Sequence, residues 1–269
     1  MAFAACSSAG SIELAQPLVT IVTPSYNQAQ YLERTIESVL AQEYANIQYL
    51  IVDGGSTDGS VDIIKKYAAK LDWWVSEPDA GQADAINKGF ARTRGVYQAW
   101  INADDILLPH AIREAVEFLE QHPEVGLVYG DTEFIDADGN PRGRFPAAQT
   151  GYARMLRGYV HIPQQATVWR TSLWQPLDAG LQFAMDYDLW VHVAKRSRLH
   201  YLPRLWAQFR LHADSKTLQN DMRAWEDMLR VHKREGGGYL SIMRIKYWLR
   251  KLLFPFIRAR RQRQAGIAE

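Results

Sequence analysis

Three short polar runs carry the residues most able to do chemistry: Pro24-Ser25-Tyr26-Asn27, Asp53-Gly54-Gly55-Ser56-Thr57-Asp58-Gly59-Ser60 and Asn102-Ala103-Asp104-Asp105. Tyr26 offers a flat ring on which a base can stack. Asp53 can accept a base N–H. The adjacent carboxylates of Asp104 and Asp105 are the hard oxygen donors that a divalent cation takes. Together they suit a nucleoside diphosphate with a metal. Singly, each has a plainer reading: Asp53 before two glycines suits a turn, and Asp105 suits a helix N-cap. No Gly-x-x-x-x-Gly-Lys loop and no Gly-x-Gly-x-x-Gly follows the first strand, which argues against a P-loop nucleotidase and a dinucleotide-binding dehydrogenase.

The elements that must hold these runs alternate. Strands are predicted at Leu18–Val22, Ile47–Val52, Trp73–Val75, Val96–Ile101 and Val125–Tyr129. Helices are predicted at Tyr31–Gln42, Val61–Leu71, Gln82–Arg94 and from Pro109 to Gln121. That alternation predicts an α/β fold with a mostly parallel central sheet flanked by helices, and it sets the polar runs at the carboxyl ends of strands, where ligands sit in such sheets. After Gly130 the pattern changes. A hairpin is expected over Thr132–Ile135 and Pro141–Phe145, strands at Ala166–Trp169 and Leu205–Leu211, and helices at Asp186–Arg196, Thr217–Arg234 and Leu240–Phe254.

Composition bounds the rest. The 269 residues are 47% hydrophobic and 23% charged, so the chain can bury a core without staples. A net charge of +1 gives no support for nucleic-acid binding. The single cysteine, Cys6, excludes an internal disulfide framework and a cysteine-built zinc site. Residues 1–16 read as a small-residue, disordered tail with no basic start, so the cytoplasm is the default compartment.

The three runs, joined by Glu77-Pro78-Asp79-Ala80-Gly81 and Asn87-Lys88-Gly89, resemble in order and spacing the family 2 glycosyltransferases of GT-A fold, over residues 17 to about 215. The resemblance implies an inverting enzyme, a divalent metal (Mn²⁺ or Mg²⁺) and a nucleotide-diphosphate-sugar donor, a UDP-sugar ahead of a GDP-sugar. It implies that Pro24, Tyr26, Asp53, Asp79, Lys88, Asn102, Asp104 and Arg210 contact the donor. Asp104, Asp105 and His212, the last within Arg210-Leu211-His212-Ala213-Asp214-Ser215, would meet the metal. The matching catalytic base is Asp186 in Met185-Asp186-Tyr187-Asp188, with Asp188 second. A carboxylate there can take the proton of an attacking hydroxyl, or Asp186 can simply cap its helix. Two departures stand out: Asn102 replaces the family's frequent Asp, and Met185 its usual Glu. His161-Ile162-Pro163-Gln164-Gln165 would line the acceptor side, the acceptor being a glycan or a lipid-linked precursor. Trp100, Trp169 and Trp190 lie in apolar runs and are expected in the core.

Two other functions share parts of this pattern. A sugar nucleotidyltransferase has a similar sheet but needs a glycine- and basic-rich loop, which Pro24 to Gln28 lacks. A non-catalytic nucleotide-sugar-binding protein would be favoured only by Asn102 and Met185. Residues 216–269 form a separate helical region. Between Arg244 and Arg263 stand eight basic residues and no acidic one. Ile242, Ile245, Trp248, Leu249, Leu252 and Leu253 share one helical arc, while Met243, Tyr247 and Phe254 interrupt the other. Residues 240–263 therefore suit peripheral contact with the anionic inner face of a membrane, or packing on the catalytic domain.

Overall fold

Short β-branched and aromatic runs build the centre of the sheet, where a half-buried pleat favours them. The computed structural model describes residues 16–212 and 221–264. Cys6, most of the expected N-terminal tail, and Ala213-Asp214-Ser215 with the boundary expected after them lie outside the described residues. β1 (Val19–Ser25), β2 (Ile47–Asp53), β3 (Trp73–Ser76) and β4 (Tyr97–Trp100) run parallel in the order β3-β2-β1-β4. They alternate with α1 (Ala29–Leu40), α2 (Ser60–Tyr67) and α3 (Gln82–Phe90); α4 (Ala111–Gln121) follows.

Side chains alternate across the strands, so each strand feeds two cores. Val19 and Ile21 pack with α1, α2 and α4 residues such as Leu32, Ile64 and Ile112. Val22 and Trp100 pack on the other face with Ile86 and Phe90 of α3 and with Leu189 and Trp190 of α6 (Met185–Arg196). Trp100, Trp169 and Trp190 are buried there, with Trp100 and Trp190 stacked at 5.7 Å. The expected α/β class, covered on both faces, is what the chain forms.

The second half is mixed. β8 (Thr167–Arg170) lies antiparallel between β4 and β6 (Val125–Ile135). β9 (Arg198–Arg210) runs parallel to β6 and antiparallel to the two-residue β5 (Ile106–Leu107), and β7 (Pro141–Arg144) pairs with β6. Two strands are longer than expected. β6 continues through Gly130, because that glycine answers to a close approach: a Cβ there would stand 2.6 Å from the Arg204 carbonyl oxygen and 2.7 Å from the Trp206 ring. β9 starts at Arg198 instead of Leu205. Its Pro203 falls where pairing jumps from Tyr129–Tyr201 to Asp131–Leu205, an irregularity at which a missing N–H costs no ladder bond.

A short α5 (Tyr152–Met155) precedes α6, and α7 (Asp221–Arg234) and α8 (Ile242–Gln264) end the described chain. The backbone of α8 runs past Phe254, where the sequence placed its end. No described helix is long and apolar enough to cross a membrane.

Candidate active site

The first two polar runs lock together. Asn27 adopts the left-handed region, φ 50°, which asparagine tolerates, and turns the chain from β1 into α1. The free N–H groups at the start of α1 are then met from the other loop. Ser56 Oγ accepts from Asn27 N at 2.8 Å, Ser60 Oγ from Gln28 N at 3.1 Å and Asp58 Oδ2 from Ala29 N at 2.8 Å. Asn27 Oδ1 accepts in return from Thr57 N at 2.9 Å. The sequence places these loop residues in a turn and in the family motif, but not their bonds to the start of α1. Their serine and aspartate types before a helix were the available signal.

Asp53 is fully buried at the end of β2. Its Oδ2 accepts from Ser56 N at 2.9 Å, Gly55 N at 3.1 Å and Ser76 Oγ at 2.7 Å, and its Oδ1 from Ser56 Oγ at 2.5 Å. These bonds bear out the turn reading of Asp53. Pro24 lies buried beside Val52. Tyr26, one residue past β1, is 62% exposed. A Cβ on Gly54 would stand 3.2 Å from Tyr26 Cδ2 and 2.7 Å from Asp79 Oδ2, so Tyr26 and Asp79 both pack closely on the bare backbone at Gly54. Asp79 Oδ1 accepts from Gly81 N at 2.8 Å. Lys88 on α3 is paired with Glu77 at 3.0 Å and Asp84 at 3.3 Å.

The third run is set by β5–β9 pairing, which brings the end of β9 beside Asp104. His212 Nε2 lies 3.1 Å from Asp104 Oδ2, and the His212 ring packs on Tyr31 with centroids 4.9 Å apart. Asp104 keeps 18% of its side chain exposed. Asp105 faces inward. Its Oδ1 accepts from the Arg210 backbone N–H at 3.0 Å and its Oδ2 from Asn102 Nδ2 at 3.2 Å. Loss of solvent, reinforced by the Asp104 charge, holds its carboxyl well above the usual carboxylate range. A two-residue strand follows Asp105, not the helix that an N-cap would require.

Arg210, expected to meet a phosphate, has its guanidinium buried in carbonyls: Nε donates to Asp104 O, and Nη1 to Asp136 O and Ala137 O, each at 3.0 Å. That geometry puts it behind the Asp104 segment, bracing it against the turn after β6. Asn102 is held by Gln82, which sequence reasoning missed, and by Gln164. Gln82 Nε2 donates to its Oδ1 at 2.7 Å, and Gln164 approaches its Nδ2 at 3.4 Å while donating to Trp100 O at 2.7 Å. Gln164 belonged to the run expected on the acceptor side.

Asp186 stands in the first turn of α6, after an Ala184 N-cap, so it does not cap the helix. Trp190, four residues on, shares its helical face, and stacks on Trp100, two residues before Asn102. That stacking holds α6 over the strand leading to the metal-type carboxylates. Asp186 accepts one bond from a neighbour, Tyr187 N at 2.7 Å, and burial pushes its carboxyl up to about 6. Asp188, the second candidate, is buried in an ion pair with Arg234.

Among the described residues no group of three or more His, Cys, Asp or Glu is arranged for a metal. Asp104 and His212 supply one oxygen and one nitrogen donor side by side. That set fits Mn²⁺ or Mg²⁺ if phosphate oxygens and water complete the shell, as is usual for such ions.

Comparison with known proteins gives a consistent picture. Residues 20–172 match the family described as Glycosyl transferase family 2. The putative teichuronic acid biosynthesis glycosyltransferase TuaG of Bacillus subtilis is 34% identical over 204 residues, covering 73% of this chain and 80% of TuaG. The uncharacterized glycosyltransferase RC0461 of Rickettsia conorii is 28% identical over 264 residues, covering 86% of this chain; the chain spans 42% of that protein's length. The fold is similar to that of residues 1–349 of S. aureus TarS in complex with UDP-GlcNAc, with a TM-score of 0.67, 16% identity, and 92% of this chain and 78% of the other covered. It is also similar to the mannosyltransferase PcManGT of Pyrobaculum calidifontis in complex with GDP-Man and Mn²⁺, with a TM-score of 0.65, 17% identity, and 94% and 74% covered.

Proposed function

Because this chain belongs to glycosyl transferase family 2 and is a glycosyltransferase, we propose that it transfers a sugar, with inversion, from a nucleotide-diphosphate-sugar to an acceptor hydroxyl in a metal-dependent reaction. The observation that carries this reading is the Asp104–His212 pair at 3.1 Å, beside the loops interlocked at Asn27 and Ser56. The base stacks on Tyr26 over Gly54, with Asp53 held ready by its four donors and Asp79 on the far wall. Lys88 steadies the Glu77–Asp84 segment that forms this wall. Asn102 and the Asp104 segment hold the ribose and diphosphate. A divalent ion on Asp104 and His212 would neutralise charge on the departing diphosphate. Asp105 and Arg210 position that segment from within.

Asp186 takes the proton from the acceptor hydroxyl as its oxygen bonds to the anomeric carbon. The anomeric carbon–phosphate oxygen bond breaks on the opposite face, so one displacement inverts the centre. A carboxyl at about 6 is ionised at neutral pH yet more basic than an ordinary aspartate, which suits it to this step. We favour a UDP-sugar over a GDP-sugar, and as acceptor a glycan or lipid-linked precursor met in the cytoplasm at the inner face of a membrane. TuaG, named for teichuronic acid biosynthesis, supports that acceptor class.

The test is thermal unfolding with UDP or GDP, with and without Mn²⁺. A ligand present at 100 times its Kd adds about 2.7 kcal/mol of stability. UDP with Mn²⁺ should raise the Tm well beyond either alone and beyond GDP with Mn²⁺. No shift with any nucleotide and metal would overturn the donor assignment.

A further inference from the structure

α8 has two working faces. Met243 and Tyr247 are buried in the domain, and Lys246 on the same side donates to the Gly158 carbonyl at 3.4 Å with its Nζ 3.0 Å from the centre of the Tyr159 ring. The spacing 243, 246, 247 is one helical stripe, and it docks the helix. Two of the three residues that interrupt the polar face, Met243 and Tyr247, are thus docking residues. The apolar arc is left outside. Ile242, Ile245, Trp248, Leu249, Leu252 and Leu253 are all exposed, Trp248 at 63% and Leu252 at 75%, and Tyr239 and Leu240 precede them at 81% and 94%.

This is a patch and not scatter. Eight of the twelve exposed large hydrophobic side chains among the described residues fall within Tyr239–Leu253. Contiguous apolar surface of this kind marks a contact site. Charge says with what. Residues 242–264 carry eight basic and no acidic residues, leaving 23 basic against 30 acidic in the rest of the chain, a net of −7. A +8 helix with a Trp- and Leu-rich face, at 23 residues roughly 35 Å long by its rise, matches an anionic lipid surface on which it lies flat.

We propose that the exposed arc of α8 is an in-plane anchor for an anionic lipid surface. The docked stripe touches Gly158 and Tyr159, in the segment that runs on to Gln164, which bonds Trp100 O and neighbours Asn102. The anchor thereby holds the rim of the site at Asn102 close to the bilayer, where a lipid-linked acceptor would be met. This deepens the acceptor class proposed above and rests on it only for that last step.

The experiment is co-sedimentation of the full chain with phosphatidylglycerol-containing vesicles or with phosphatidylcholine vesicles, alongside the protein's sedimentation behaviour without lipid. The expected result is binding to the anionic vesicles at low salt and release as salt rises. The double variant Trp248→Glu, Leu252→Glu changes only exposed side chains and should lose binding by about tenfold or more. It should keep the Tm shift given by nucleotide and Mn²⁺, so failure of the anchor and failure of the transferase reading are separable. Vesicle binding unchanged in the variant, or no binding by the wild type, would overturn the proposal. So would a lipid-free dimer that the variant converts to monomer, which would assign the arc to a second copy of the chain.

Discussion

Asp53 and Asp186 are both acidic side chains in the two halves of one molecule, and the protein surrounds them in opposite ways. Four donors converge on Asp53, from its own loop and from Ser76 on β3. Two backbone N–H groups, its own and that of Tyr187, reach Asp186, whose carboxyl is pushed up to about 6 by burial. A carboxylate meant to receive a ligand's donor is best fixed in place by donors from the protein. A carboxylate meant to take a proton gains from being short of them, since each added donor lowers its basicity. On the proposed function, the parallel half of the sheet holds the donor and the α6 side reacts.

The sharpest way to break this contrast is Asp186→Asn. It should lower turnover by about 10²–10⁴-fold while leaving nucleotide affinity unchanged, because the lost group acts only as the hydroxyl attacks. The same change should raise stability. A folded-state carboxyl raised from its ordinary 3.8 to about 6 stabilises most below its unfolded pKa and loses that stability as pH rises through about 6. At pH 7.5 the Asn variant should therefore be more stable, on the order of 1–3 kcal/mol, and the advantage should vanish below about pH 4. Calorimetry at both pH values checks the sign.

On the holding side, Asp104→Asn should weaken Mn²⁺-dependent nucleotide binding by roughly 10²-fold, the scale of losing several kcal/mol of metal interaction, with little change in metal-free stability. Titration of nucleotide with and without Mn²⁺ measures it. Unchanged metal dependence would move the ion elsewhere. Gly54→Ala should cost about tenfold in nucleotide affinity, since its Cβ would push on Asp79 and Tyr26, with kcat nearly kept. A fall in kcat alone would show that Tyr26 and Asp79 do not wall the base. Smallest of all, Ser76→Ala removes one of four donors to Asp53 and should cost about 1 kcal/mol of stability and a few-fold in affinity.

Much of the holding side was legible in the sequence. Glycines after Asp53 and the β-branched runs before the first two polar loops fix where those strands end, and strand ends fix the rim. The reacting side was less so. Gly130 read as a strand end, because a glycine that admits a tryptophan ring has the same letter as one that turns the chain. Pro203 hid the first half of β9, since nothing local announces a register jump opposite Tyr129 and Asp131. Arg210 and Asp105 read as ligands by type. Only tertiary packing turns them inward, through β5–β9 pairing that two residues of β5 do not advertise. In α8 the apolar arc was visible, but its docking face was not, because Met243 and Tyr247 looked like blemishes on a polar surface.

The contrast itself is tested most directly by the pH dependence of donor turnover at saturating donor and Mn²⁺, in the wild type and in Asp186→Asn. With Asp186 as the base, wild-type turnover should rise with pH to a plateau along a limb centred at about 6, and the variant's small residual rate should lack that limb. A limb near 6 that survives in Asp186→Asn, or its absence from the wild type, would contradict the assignment of the reacting carboxylate.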